Sequence, residues 1–485
     1  MSVQQLDSLD KIVSLAKARG FIFQSSEIYG GLSAVYDYGP LGTELKRNIR
    51  DSWWKEMTQR HDNIVGVDAA IFMHPKVWEA SGHVEGFNDP MIDDKQSKKR
   101  YRADMLIEQH IEKLRSKDKE QQADELQQKL DSTGTRKGLC EDLYDIIMEE
   151  EIRAPESGAF EWTEVRQFNL MFKTHYGATA SGDDDVIYLR PETAQGIFVN
   201  YKNVLDTARV QVPFGIAQVG KAFRNEVVAR QFVFRMREFE QMEMQYFIEP
   251  GTDEGEYDKW LNKRLDWHKS IGVREENLRV VPHPDDKLAH YARAAADIQF
   301  KYPIGWQEVE GIHNRSDFDL SQHQEYSGKK MEYFDQKTQK RYIPYVIETS
   351  IGLDRTTLMI LCDAYREEEV DGDSRIVLKL HPKLAPTKVG IFPLIKKPEL
   401  QELAKKIEAD LVEDYTVLYD ESGSIGKRYR RQDEAGTPFC VTVDFDGLED
   451  DTVTIRYRDD MKQERVAVDK LDSVIRNRMK SWKPE

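Results

Sequence analysis

FRNEVVARQFVFRMREFEQMEMQYF, residues 223–247, sets arginines, glutamates, aromatic rings and methionines in an order that suits neither an amphipathic helix nor a plain core strand. Read with a period of two, it becomes a hairpin. Alternate residues of a strand share a face, so Arg224 and Glu226 fall together on a first strand. Arg235, Arg237, Phe239, Gln241 and Glu243 fall together on a second, and VVARQFV (227–233) connects the two. If the faces coincide, one surface carries several guanidiniums, two carboxylates and a ring. That surface can be a solvated sheet laced with cross-strand ion pairs. It can equally hold a nucleotide triphosphate: guanidiniums fork onto phosphate oxygens, phenylalanine offers a flat face to a purine, and a carboxylate can accept from an exocyclic amine. Spacing alone leaves both readings open.

Outward from the hairpin, residues from about 160 to 360 hold many short apolar-alternating runs separated by turns, which predicts an antiparallel sheet. The N-terminal stretch predicts an amphipathic helix with Leu6, Leu9, Ile12, Val13 and Ala16 on one face and Gly20 ending it. A second helix enters through Pro40, and Leu41, Leu45, Ile49, Trp53 and Met57 make one apolar stripe. The stripe fits a core face or a subunit interface. Residues 95–158 are heavily charged and helical, an insertion between a first segment, 1–94, and the main body, 159–384. Beyond a proline-rich boundary, strands and helices alternate through 385–485, predicting a separate α/β domain with a partly parallel sheet. The expected class is α+β.

With 39% hydrophobic residues the chain can build several cores, yet no apolar run approaches the roughly 20 residues of a membrane span. The start lacks the basic leader and apolar block of a signal peptide. Three scattered cysteines, Cys140, Cys362 and Cys440, favour neither a disulfide framework nor a cysteine-rich zinc site, and imply a reducing, cytoplasmic setting. A net charge of −17 argues against a nonspecific nucleic-acid binder but leaves room for local basic strips. KKRYR (98–102) and KRYRR (427–431) are the two candidates, and each could instead be a solvated face.

The hairpin resembles motif 2 of the class II aminoacyl-tRNA synthetases, in the form found in the glycine-specific family. VYDYGPLGTELKRNIRDSWW (35–54) is similar to motif 1, VIETSIGLDRTTLMIL (346–361) to motif 3, and RPETAQGIF (190–198) to the amino-acid-binding loop. The four stand in the family's order over nearly the whole chain. Residues 386–485, above all GSIGKRYRRQDEAGTPFCVTV (423–443), resemble the anticodon-binding domain of the glycine, histidine, proline and threonine enzymes.

The resemblance implies a ligase that joins glycine to ATP as glycyl-adenylate and then to the 3′ end of tRNA(Gly), acting as a homodimer in the cytoplasm without membrane attachment. It implies Arg224 at the α-phosphate and Arg355 at the γ-phosphate as the catalytic cations, Glu226 on the adenine amine and Phe239 stacked on the ring. The ATP site would run through Arg224, Asn225, Glu226, Phe234, Arg235, Met236, Arg237, Glu238, Phe239, Glu308, Val309, Gly352, Leu353, Asp354 and Arg355. The glycine site would take in Arg102, Glu192, Phe239, Glu240, Gln241, Met242, Glu243, Arg315, Glu348, Thr349, Ser350, Ile351 and Gly352. Glu192 and Glu243 would grip the ammonium, and Ser350 would fill the space a methyl needs. Glu308 and Glu348 match metal-facing acids for Mg2+, or are half-exposed strand glutamates. Arg102 lies near substrate or belongs to the KKRYR surface. Relatives can carry paired cysteines in the insertion, but with Cys140 alone there no zinc is expected. KKRYR suggests that the insertion meets the acceptor end of tRNA. Two rivals remain: a class II enzyme for another amino acid such as serine, threonine or proline, and a non-catalytic RNA-binding relative.

Overall fold

The alternation of the opening stretch becomes the middle of a seven-stranded sheet in the computed structural model, which describes residues 3–4, 6–133, 138–177, 186–226, 231–284, 288, 292–370 and 372–484. In chain order the strands are β1 (Ile64–Gly66), β2 (Phe214–Phe223), β3 (Glu238–Ile248), β4 (Leu278–Pro282), β5 (Ala294–Tyr302), β6 (Gly305–Ser316) and β7 (Tyr345–Gly352). In space they run β4-β5-β6-β7-β3-β2-β1, antiparallel throughout except for β1 beside β2. The hairpin strands are shorter than the sequence suggests. Arg224, Glu226, Arg235 and Arg237 lie beyond their ends, although the Arg224 N–H still donates to the Arg237 carbonyl at 2.9 Å. Phe232–Phe234 forms a single 3-10 turn that buries Val233 and Phe234, which ends the pairing; residues 227–230 of the connection lie outside the described residues.

Helix α1 (Leu9–Arg19) begins on Ser8, whose hydroxyl accepts from the Asp10 N–H, and ends on Gly20 in the left-handed conformation that costs glycine no Cβ clash. Leu15 joins Ile12 and Ala16 on its buried face. In α2 (Pro40–Thr58), Leu45, Ile49, Trp53 and Met57 are fully buried within this same chain. The stripe is therefore a core face and is not available to a partner subunit. It packs with Met242, Met244, Ile347 and Ile351 on one side of the sheet.

The insertion is a small module of its own. Helices α3 (Ala103–Arg115), α4 (Glu120–Thr133) and α5 (Leu139–Glu149) pack Ile107, Leu126, Leu143 and Ile147 into a core with Ile92 of a short strand and Trp162 of a connecting segment. Its basic entrance is largely neutralised: Lys99 pairs with Glu156, Arg100 with Asp93, and Arg102 with Asp89 and Asp104.

Four more helices dress the main sheet: α6 (Ala194–Ala208), α7 (Asp253–Ser270), α8 (Phe318–Ser327) and α9 (Leu353–Ala364). α7 and α9 join α2 on the apolar side, while α6 and α8 cover only one end of the other side, over Phe214, Ile216, Phe247 and Val346. The rest of that side stays open.

After the hairpin β8 (Tyr365–Val370) and β9 (Asp373–Leu378) comes the C-terminal domain. Its strands are β10 (Val389–Pro393), β11 (Val417–Tyr419), β12 (Phe439–Val443), β13 (Thr452–Tyr457) and β14 (Gln463–Ala467), ordered β11-β10-β12-β13-β14, the first three parallel and the last two antiparallel. α10 (Pro398–Leu411), α11 (Ile425–Ala435) and α12 (Leu471–Ser481) complete it. A buried carboxylate ties it to the main body: Asp433 on α11 accepts from Arg375 of β9 at 2.9 Å and from Arg456 of β13 at 2.8 and 3.0 Å.

Candidate active site

Register turns the uncovered side of the sheet into one polar surface. Gln218 pairs with Glu243, Glu243 with Ser350, and Ser350 with Gly311. One step along, Gln245 pairs with Glu348 and Glu348 with His313. Paired residues point to the same side, so residues of three strands, β3, β6 and β7, converge on a cavity of about 230 Å³. Arg224 and Arg355 both line it, with Glu192, Glu243 and Ser350.

Each arginine has its own anchor. The Arg224 Nε donates to the Pro191 carbonyl at 3.1 Å, and its guanidinium sits 5.3 Å from the centre of the Phe239 ring and 5.4 Å from that of Phe87. Arg355 stands in the first turn of α9. Its Nε donates to the Phe234 carbonyl at 3.1 Å, its guanidinium covers the Phe234 ring at 4.5 Å, and Glu308 lies 3.4 Å away. Both cations are thus held by backbone carbonyls and rings, which fix direction while leaving guanidinium N–H groups for an anion. The helix N-terminus beside Arg355 adds partial positive charge.

Carboxylates crowd the same cavity. Glu243, 2% exposed, accepts from Gln245 at 2.8 Å and bonds the Thr193 hydroxyl. Glu348 receives Gln245 at 2.7 Å and Arg315 at 3.0 Å, and His313 Nδ1 lies 2.9 Å from it. Arg315 forks onto both oxygens of Asp319 at 2.8 and 2.9 Å. Glu192 accepts from Gln195 at 3.0 Å and lies 3.4 Å from His83 Nε2. Three acids in so small a volume cannot share one titration behaviour. Burial and the charges of Glu348 and Glu192 push Glu243 well above the usual carboxylate range. Burial would raise Glu348 too, but Arg315 and His313 outweigh it and hold it down; His83 and Arg315 do the same for Glu192. The cluster is anionic and mostly buried, which suits a compact cation.

Of the expected residues, Glu192, Arg224, Glu226, Phe234, Arg235, Met236, Phe239, Gln241, Glu243, Glu308, Val309, Arg315, Glu348, Ser350, Gly352, Asp354 and Arg355 line the cavity. Others do not. Met242, Ile351 and Leu353 are core residues, and Thr349, fully buried, pairs with Met244. The reason is the strand period: a contiguous run in a motif alternates between cavity and core. Asn225, Arg237 and Glu238 also stay out of the lining; Arg237 is spent on the Glu226 and Ser33 carbonyls, and Glu238 pairs with Lys221. Glu240 turns to Lys46 at 2.8 Å, and Arg102 sits in the insertion on Asp89 and Asp104. Glu348 does not fit a metal ligand, since both its oxygens already face donors; Glu308, with half its side chain exposed, keeps an oxygen available. Among the described residues no three His, Cys, Asp or Glu side chains are arranged so that they could hold one metal ion.

Sequence reading missed His313, Gly311 and Val233 in the lining, and Thr193 and Gln245 beneath it. Counting back by two from Arg315 would have found His313 and Gly311. Nothing local marks Gln245, whose role rests on two acids from different strands.

Residues 172–364 match the tRNA synthetase class II core domain (G, H, P, S and T), residues 89–170 match glycyl-tRNA synthetase insertion domain 1, and residues 388–478 match an anticodon binding domain. A glycine–tRNA ligase of Chlorobaculum tepidum is 58% identical over 472 residues, covering 97% of this chain and 100% of its own. One from Treponema denticola is 52% identical over 482 residues, with 98% of each chain covered. The solved prolyl-tRNA synthetase of Cryptosporidium parvum superposes with a TM-score of 0.60 at 14% identity, over 97% of this chain and 75% of that one, a likeness of fold.

Proposed function

The chain belongs to the glycine–tRNA ligase family of class II synthetases, and on that premise we propose how its cavity activates glycine with ATP and passes it to tRNA. Its activity is the joining of glycine to tRNA. The observation that carries the mechanism is one cavity lined both by two anchored guanidiniums and by a cluster of three carboxylates.

ATP lies with its adenine against Phe239, its α-phosphate at Arg224 and its γ-phosphate at Arg355. The charge that builds on the attacked phosphorus is met by Arg224, whose position is set before reaction by the Pro191 carbonyl and two rings. Glycine places its ammonium among Glu192, Glu243 and Glu348 and turns its carboxylate toward the α-phosphate. Ser350, paired with Glu243 across β3 and β7, stands where a side chain would project, so alanine meets a wall rather than a weaker contact. A magnesium ion accompanying the nucleotide would offset phosphate charge, and Glu308 is the acid placed to hold it. The C-terminal domain takes the anticodon end of tRNA. Of the four KRYRR cations, Arg428 is buried on the Pro393 and Leu394 carbonyls and Arg431 pairs with Asp420, so Arg430 and Lys427, the latter exposed on α11, are left to meet the phosphate backbone.

A homodimer and a cytoplasmic location belong to the same reading. With the α2 stripe internal, support for the dimer moves to the exposed Ile28, Tyr29 and Leu32 near the start of α2. Sedimentation of the purified protein tests it; a monomer at micromolar concentration removes it.

ATP–pyrophosphate exchange, run in turn with glycine, alanine, serine, threonine and proline, tests the activity. Exchange with glycine alone is expected, and Arg224→Ala should abolish it while the fold is kept. Exchange driven by another amino acid would overturn the assignment, and none at all would favour a non-catalytic RNA binder.

A further inference from the structure

One buried cation joins the three signature segments of this fold. Lys46 projects from α2 with its side chain 12% exposed. Its Nζ lies 2.8 Å from Glu240 in β3 and 2.8 Å from Asp354 at the start of α9, and 4.4 Å from the centre of the Tyr38 ring. Asp354 is the shared node. Its Oδ1 also receives the Tyr38 hydroxyl at 2.6 Å, and its Oδ2 receives the Glu240 backbone N–H at 2.7 Å. That N–H follows Phe239 directly, and Arg355 follows Asp354 directly. Lys46 is absent from the cavity lining.

We propose that Lys46 is a positioning residue for the nucleotide, holding the Phe239 backbone and the Arg355 helix turn at a fixed separation through Asp354. Two carboxylates, one 3% and the other 18% exposed, face each other across this junction and need a cation between them. Without it, the Asp354–Glu240 backbone bond bears an uncompensated charge, and the ring and guanidinium that flank the nucleotide lose their common anchor. The glycine end hangs on Gln245, Arg315 and Thr193 instead, so the two substrates should respond differently.

The inference rests on the ATP site described above, and direct binding separates the two. Binding of a non-hydrolysable ATP analogue is measured by calorimetry, and KM for glycine by exchange, in the parent, Lys46→Met, Lys46→Arg and Tyr38→Phe. Lys46→Met should weaken the analogue by about tenfold or more while KM for glycine stays within about twofold, and Lys46→Arg should recover most of the loss. Tyr38→Phe, which removes one neutral donor to Asp354, should weaken the analogue by about threefold. If Lys46→Met fails to fold, Tyr38→Phe decides. Folded Lys46→Met that binds the analogue like the parent, or loses both substrates equally, overturns the role. A parent that binds the analogue but activates no glycine refutes the amino-acid reading and leaves Lys46 standing; a parent that binds no analogue overturns both.

Discussion

Replacing Gly220 by alanine should cripple the glycine site through a residue that touches no substrate. Gly220 lies mid-strand in β2, and an added methyl would fall far inside contact distance of the Arg190 guanidinium. Arg190 is 2% exposed and runs under the sheet edge, its Nε donating to the Lys221 carbonyl at 2.6 Å and its Nη1 to that of Ala69 at 2.8 Å. To reach an ordinary contact the guanidinium must retreat by about 1 Å, enough to break the Lys221 bond. Losing one charged, buried hydrogen bond costs about 1.5–3 kcal/mol. Arg190 leads directly into Pro191, whose carbonyl orients Arg224, and then into Glu192. If the loop yields, that energy appears as a drop of about 10- to 150-fold in kcat/KM for glycine, at about 1.4 kcal/mol per decade. If the loop holds, it appears as lost stability. Glycine-dependent exchange and urea unfolding read the two. Gly255→Ala is the control: nothing lies within 4 Å of its added methyl, and inside α7 it should gain about 0.5–1 kcal/mol. A Gly220→Ala protein within about threefold of the parent in kcat/KM, with its unfolding midpoint unmoved, would refute this reasoning.

Ser350→Gly should let alanine support exchange, because it removes the wall beside Glu243; continued rejection of alanine would place the exclusion elsewhere. Burial, reinforced by Lys383, Arg458 and Lys388, holds His381 down at about 4. The unfolded chain therefore binds the proton first, so stability is complete above pH 6.5 and falls by up to about 3 kcal/mol as the pH drops through 4. His381→Asn should flatten urea midpoints between pH 7.5 and 4.5, and an unchanged slope would count against it. On α11, Lys427→Ala should raise KM for tRNA without changing stability, whereas Arg428→Ala should lower stability by about 2–3 kcal/mol, since it strips donors from one buried and two partly buried carbonyls. Reversed effects would mean the helix faces the other way.

The sequence by itself determined the period of the hairpin, the amphipathic helix behind Pro40, the order of the motifs and the change to an α/β domain near residue 385. These are local properties: a period of two or of four, a proline at a helix start and a glycine at its end each act within a few residues. Tertiary structure alone decided which neighbours in a motif share the cavity. Gln241 and Glu243 face it while Met242, between them, enters the core. It also decided that the α2 stripe is spent inside the chain, that most of KKRYR and two cations of KRYRR are already paired, and that Gln245 stands between two acids. Charges and apolar stripes in a sequence advertise a need for partners without saying who supplies them. That choice is made by register across strands far apart in the chain, where a shift of one residue would exchange every cavity side chain for a core one.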